Sequence, residues 1–245
     1  VSAMQLQSFI AGRWQAGNGN PVALRDATTG EVIASACSDG LDLAAALAHA
    51  RAVGGPHLRR LTFHERAALL KSLAKRLTDH KDELYTLSYA TGATRSDSWI
   101  DIDGGIATLF VYASKGMREL PDAHVYVDGA TETLSKSGGF LGQHICVPLE
   151  GAAVHINAFN FPVWGMLEKL APALLAGVPA IVKPATATAY LTELAFRRII
   201  ESAILPEGAV QLICGSVGDL FDHLTCQDVV AFTGSASTAR KLRMH

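Results

Sequence analysis

Four places in the second half of the chain set a polar side chain or a glycine at the end of an apolar run. Asn160 follows AAVHI and precedes Phe161-Pro162. An amide there can aim its NH₂ at an oxygen that gains negative charge, or it can cap a helix start. Lys183 closes the run PAIVK, and Pro184 turns the chain away. Its ammonium can meet a ribose or phosphate oxygen, or it can stand in solvent. Gly215 in ICGSVGDL, and Gly234 with Ser235 in AFTGSAST, follow apolar runs and are expected to open helices. That arrangement presents free N–H groups to a phosphate. No GxGxxG is present and no GK[ST] follows a glycine loop, so a Walker-type phosphate loop is excluded. Each place has a bland reading when taken singly. Together they put nucleotide-type chemistry on four consecutive strand ends.

The elements that must hold these residues follow from the patterning after Gly151. We read strand AAVHI, a helix over 162–175, strand PAIVK, helix ATAYLTELAFRRIIESA and strand AVQLIC. A short helix after Gly218, strand DVVAF and a helix from about Ser235 complete the series. Uniformly apolar strands separated by helices predict an α/β fold, a doubly wound, Rossmann-like parallel sheet covered on both faces. Right-handed crossovers then bring strand C-termini and helix N-termini to one edge, where such sheets bind ligands.

The first half prepares this core. FIAGRWQAGNGNPVALRDATTGEVIASA alternates like a hairpin layer, and two helical stretches follow, with Thr62 and Glu65 spaced as a capping box. Asp97 is expected to cap a third helix, whose middle Gly104-Gly105 should weaken. Residues 121–149 read as a β-ribbon, either an arm that pairs with another subunit or a surface hairpin. The expected organisation is a hairpin and helical part over 1–120, the ribbon over 121–149, and the dinucleotide-binding part over 150–245. The last helical pattern breaks off at His245, so the chain is expected to be a truncated piece of a longer polypeptide. Val1 to Ala3, ahead of Met4, read as an expression remnant.

A net charge of −2 with no basic run gives no electrostatic reason for nucleic-acid binding. The longest apolar stretch, 170–182, falls short of the roughly 20 residues of a bilayer span and contains two prolines. The start lacks the basic and apolar regions of a secretion signal. The four cysteines, Cys37, Cys146, Cys214 and Cys226, show no CxxC spacing or His cluster. Reduced, mostly buried thiols in a cytoplasmic protein are expected, with no metal and no membrane.

The stretches NAFNFPVWGMLEKLAPALLAGVPAIVKPA, ILPEGAVQLICG and VVAFTGSASTA resemble the cofactor-binding half of the aldehyde dehydrogenase superfamily. FIAGRWQAG and TTGEVIA resemble its opening hairpin, so the resemblance runs from about Gln5 to the last residue. Within the superfamily, DSWIDIDGGIATLF, HINAFNFPVWGMLEKLAP and IVKPATATAYLT are most similar to dehydrogenases of bacterial phenylacetate degradation. Those of aerobic benzoyl-CoA breakdown come next. The resemblance implies oxidation of a small-molecule aldehyde linked to CoA, in the phenylacetate case 3-oxo-5,6-dehydrosuberyl-CoA semialdehyde. A homo-oligomer joined through the 121–149 arm is expected.

By the resemblance, Asn160 is the oxyanion-hole asparagine, and Lys183 touches the adenosine ribose. Ser235, after Gly234, lies near the pyrophosphate, and Gly215 lies on the adenine side. Ala158 and Phe159 stand beside the nicotinamide ribose, and Ala185 and Thr186 belong to the ribose-binding loop. Many NAD-dependent members carry a glutamate where Thr186 stands. A threonine there can donate to a 2′-phosphate that a carboxylate would repel, so NADP is expected, with NAD as the alternative. As the N-cap of the following helix, Thr186 would be compatible with either. The family's catalytic glutamate and nucleophilic cysteine lie beyond FTGS, and none of the four cysteines stands in a matching motif. Two alternatives to a dehydrogenase piece stay open: a stand-alone, non-catalytic nucleotide-binding module, and a dehydrogenase that passes the acyl group to free CoA.

Overall fold

The computed structural model describes residues 4–244, so the expected remnant at Val1 to Ala3 lies outside the described residues, as does His245. Five short strands come first: β1 (Met4–Gln5), β2 (Ser8–Ile10), β3 (Arg13–Gln15), β4 (Val22–Arg25) and β5 (Val32–Ala36). Helices α1 (Leu43–His49) and α2 (Gly55–Arg59) are joined by a π-helical turn, and α3 (Phe63–Asp79), α4 (Lys81–Ser88) and α5 (Arg95–Glu119) follow. The ribbon is β6 (Tyr126–Thr133) and β7 (Leu141–Cys146). The alternating part is β8 (Ala153–Ile156), α6 (Trp164–Leu175), β9 (Ala180–Lys183), α7 (Ala189–Glu201), β10 (Val210–Leu212), β11 (Val229–Phe232) and α8 (Ala236–Arg243).

The central sheet has six strands in the order β11-β8-β9-β10-β2-β3. Its first four are parallel, as their continuous apolar runs require. The amino-terminal hairpin is not a separate layer. It extends this sheet antiparallel, with Phe9 opposite Leu212 and Phe9 opposite Trp14. Strands β1, β5 and β4 make a second, small sheet. One face of the central sheet is covered by the core of α3, α5, α6 and α7, where Leu70, Ile102, Leu109, Met166, Leu170 and Phe196 are buried. The other face packs on α1 and the 3-10 turn at Leu220–His223, through Leu43, Leu47, Val154, Ile181 and Leu220. β11 is the outer strand of this edge, and Val229 and Val230 are exposed.

Local signals explain most helix ends. Thr62 and Glu65 form the expected capping box at the start of α3. For α5 the N-cap is Thr94, and Asp97 completes a second box from inside the helix rather than capping it. Gly104 and Gly105 do not interrupt α5, which is continuous over 25 residues. They serve a close helix contact instead: a Cβ on Gly105 would stand 2.9 Å from Trp164 Cα. β6 and β7 pair as a two-stranded ribbon that joins no other sheet among the described residues. Its register shifts between Asp128 and Glu132, around Gly129 at φ +79°. Cys37 and Cys214 are buried, but Cys146 and Cys226 are exposed, so only half of the thiols are in the core. No described helix is long and apolar enough to cross a membrane. Among the described residues, no group of three His, Cys, Asp or Glu side chains can hold a metal ion.

Candidate functional site

In-register pairing aligns the strand ends. Ile156 of β8 lies beside Lys183 of β9 and beside Phe232 of β11. The ladder runs one bond further, through Asn157 N–H to the Lys183 carbonyl, Thr233 N–H to that of Ile156, and Ile213 N–H to that of Val182. Residues 157–160, 184–186, 214–215 and 233–235 therefore all leave the sheet over the same edge. That common edge is what four independent strand-end motifs required.

Asn160 is exposed at this edge. It lines a concavity of about 260 Å³ with Ala158, Phe161, Trp164, Glu168 and Thr233. The helix expected from Pro162 begins at Trp164, and Asn160 does not cap it. Its first N–H groups are taken by Asp101 of α5, whose carboxylate accepts from Val163 (3.0 Å) and Trp164 (2.7 Å). Asp101 is 4% exposed. Burial pushes its carboxyl up to about 6, against the pull of the two N–H donors. Asn160 is thus left free of capping duty.

Lys183 has no carboxylate partner among the described residues. Its partial burial holds the ammonium below the ordinary lysine range. Ala185 is extended and accepts from Thr188 N–H at 3.3 Å, and Thr186 opens a 3-10 turn. Thr186 is not the side-chain cap of α7. The hydroxyl at that helix entry belongs to Thr188 and donates to the Phe159 carbonyl at 3.0 Å. Phe159 itself projects into solvent, 64% exposed.

Gly215 departs from expectation. No α-helix opens behind it, because the chain first turns through Gly218 and makes only the 3-10 turn. At φ +144° it lies against Ser38, where a Cβ would meet the Ser38 nitrogen at 2.7 Å. The glycine is there for that contact with the β5–α1 connection. Gly234 and Ser235 do precede a helix, and Ser235 is its N-cap, accepting from Thr238 N–H at 3.2 Å.

Sequence reasoning missed Asp101, His155 and Asn157 among other buried polar residues. Asp101 lies within DSWIDIDGGIATLF, but its partners are 62 and 63 residues away. His155 and Asn157 are polar positions in an apolar strand, a visible signal that was passed over. Both are buried, and among the described residues His155 Nδ1 and both amide atoms of Asn157 lack a hydrogen-bond partner. Cys214 is fully buried at the end of β10, and burial pushes its thiol far up, so it is no nucleophile.

The aldehyde dehydrogenase family profile matches residues 14–245. The chain belongs to the aldehyde dehydrogenase family. It is 46% identical, over 99% of its length, to the 3,4-dehydroadipyl-CoA semialdehyde dehydrogenase of Aromatoleum evansii, and covers 47% of that protein. Among solved structures, it resembles a betaine aldehyde dehydrogenase of Staphylococcus aureus in complex with NAD⁺, with a TM-score of 0.81 and 22% identity. That match covers 98% of this chain and 48% of the other. It also resembles the NADP-dependent glyceraldehyde-3-phosphate dehydrogenase of Bacillus halodurans C-125 complexed with NADP. There the TM-score is 0.80 at 22% identity, over 98% of this chain and 50% of the other. The chain spans about half the length of the curated relatives it matches.

Proposed function

We propose that this chain supplies the coenzyme-binding part of an enzyme that oxidises a CoA-linked semialdehyde to its carboxylic acid. One observation carries the proposal: Asn160 stands uncommitted in a concavity on the edge where Lys183, Thr186 and Ser235 also leave the sheet. Its NH₂ can donate to the carbonyl oxygen as a nucleophile adds to the aldehyde carbon and charge collects there. The bound nicotinamide coenzyme supplies a hydride acceptor. The residues present fit such a dinucleotide. Among the described residues Lys183 offers an ammonium without a competing carboxylate, Thr186 offers a hydroxyl at the opening of a 3-10 turn, and α8 offers an N-terminus capped by Ser235.

NADP is the proposed coenzyme, with NAD as the alternative, because Thr186 can donate to a 2′-phosphate and Lys183 adds positive charge beside it. Similarity to the 3,4-dehydroadipyl-CoA semialdehyde dehydrogenase favours a CoA-linked substrate, either that one or the phenylacetate-derived 3-oxo-5,6-dehydrosuberyl-CoA semialdehyde. The exposed apolar side chains of the ribbon, Val127, Leu141 and Ile145, favour its use as a contact with a second copy.

The test is Asn160→Ala in the complete polypeptide, assayed with a CoA-linked semialdehyde. Turnover should fall by about two orders of magnitude or more, with coenzyme affinity nearly unchanged. Unaltered turnover would remove the oxyanion role. A wild-type protein that binds coenzyme but oxidises no aldehyde would favour the non-catalytic module instead.

A further inference from the structure

We infer that Asp101, Thr188 and Thr192 form a buried polar clamp that fixes the loop carrying Asn160, and that all three are positioning residues for its chemistry. The inference rests on the oxyanion role proposed above.

The loop between β8 and α6 carries Asn160 out to solvent, and exposed loops are the parts of a fold with most freedom to move. This one is held from three directions. Thr188, at the entry of α7, donates to the Phe159 carbonyl at 3.0 Å. Thr192, one turn into α7, donates to the Pro162 carbonyl at 2.9 Å. Asp101, from the first half of the chain, accepts from Val163 and Trp164. The bonded positions bracket Asn160 on both sides, one residue before it and two to four after.

The three side chains are 6%, 0% and 4% exposed, whereas Asn160 faces the concavity. Such burial gives the clamp its stiffness. A shift that breaks the Thr192–Pro162 or Val163–Asp101 bond leaves a desolvated hydroxyl or a buried carboxylate short of a partner. Each anchor is itself set on a packed helix. Asp101 neighbours the fully buried Ile102, and Thr192 lies between the fully buried Leu191 and the buried Glu193. Thr188 adds a coupling of its own, because it belongs to the same connection as Ala185 and Thr186. Its bond to Phe159 ties the proposed coenzyme loop to the loop of the proposed oxyanion donor. The donor and the coenzyme are thereby held in one frame, which hydride transfer from the substrate carbon needs.

A group that only stabilises the fold and a group that aims Asn160 differ in one measurable respect: whether the effect persists when Asn160 is gone. Thr192→Val keeps the shape and removes the hydroxyl, and Thr192→Ser keeps the hydroxyl. In the complete enzyme Thr192→Val should lower kcat by about 10- to 100-fold, the range expected for a misplacement approaching 1 Å. The coenzyme KM should stay within about threefold, and Thr192→Ser should retain most of the rate. With Asn160→Ala already present, adding Thr192→Val should change kcat by less than about threefold, because the aimed group is missing. Thr188→Val and Asp101→Leu, which remove the hydroxyl and the accepting oxygens, should repeat the pattern, so a variant that fails to fold leaves two others to decide.

Losses that multiply in both backgrounds would show that the anchors serve stability or another step, and would overturn the clamp. An unchanged kcat in a folded Thr192→Val protein would overturn it as well. Failure of the underlying proposal looks different. There Asn160→Ala alone would leave turnover intact, and the clamp's catalytic role would fall with it whatever the threonine variants did.

Discussion

Gly105→Ala should destabilise the protein even though helix propensity alone gives the opposite sign. Gly105 lies inside α5, where alanine is favoured over glycine by about 1 kcal/mol. A Cβ at that position would stand 2.9 Å from Trp164 Cα, 3.1 Å from Trp164 N and 3.3 Å from Leu167 Cδ1. The first two are backbone atoms at the start of α6, so no rotamer change relieves the overlap. Forcing α5 and α6 apart belongs at the upper end of the roughly 1–3 kcal/mol range for overpacking. It also stretches the Asp101 bonds to Val163 and Trp164. Subtracting the propensity gain leaves a net loss of about 1–2 kcal/mol, or a fall in Tm of about 2–8 °C for a chain of this size. Gly104→Ala is the internal control. Its Cβ would meet only the Trp164 ring, at 3.2 and 3.3 Å, and a side chain can shift. Thermal unfolding of wild type and both variants under one set of conditions decides the matter. A rise in Tm for Gly105→Ala equal to that for Gly104→Ala would refute the claim that Gly105 permits the close approach of the two helices.

Thr186→Glu should move coenzyme preference from NADP toward NAD by about tenfold or more, since a carboxylate repels the 2′-phosphate and can bind the ribose hydroxyls. The ratio of kcat/KM for the two coenzymes measures this, and a constant ratio means that the 2′-phosphate is recognised elsewhere. His155 provides a pH signature. Burial first, then the charge of Lys169, lowers its imidazole from 6.5 to about 4. The unfolded chain therefore binds the extra proton between those values, and stability present above pH 6.5 is lost as the pH falls toward 4. By pH 5 that loss is about 2 kcal/mol. Asp101, raised to about 6, works in the opposite sense between about 6 and 3.8. Its contribution cancels when His155→Gln is compared with wild type. Urea unfolding at pH 7.5 and pH 5 should show the variant losing about 2 kcal/mol less than wild type, and equal losses would disprove the buried neutral imidazole.

The division between what was legible and what was not follows from the range of the interactions. Strands β8 to β10 were readable because burial on both faces makes each a largely apolar run, and the capping box at Thr62 was readable because its partner is three residues away. The attachment of β2 to β10 was not, since Phe9 and Leu212 meet across some two hundred residues. The start of α6 was misplaced for the same reason. Pro162 is a local helix-start signal, but Asp101 collects the N–H groups of Val163 and Trp164 and sets the boundary from another helix. Gly104-Gly105 reads as a weakness because propensity is local, whereas the Trp164 backbone that leaves no room for a Cβ on Gly105 comes from elsewhere in the sequence.

The same distinction applies within the site. Residues that face a ligand had to project from strand ends, so their positions obey the sheet's topology and show in the sequence as polar punctuation. Residues that aim them had to be buried to be stiff, and burial disperses them among helices whose patterns look like ordinary core. Asn160, exposed and locally marked, therefore stands out in the sequence as a candidate, while Thr192, fully buried in the middle of an apolar helix face, does not. A polar side chain with no exposure and one long-range bond is conspicuous only once the fold is known, and such residues are where substitutions can weaken the proposed chemistry without touching the concavity itself.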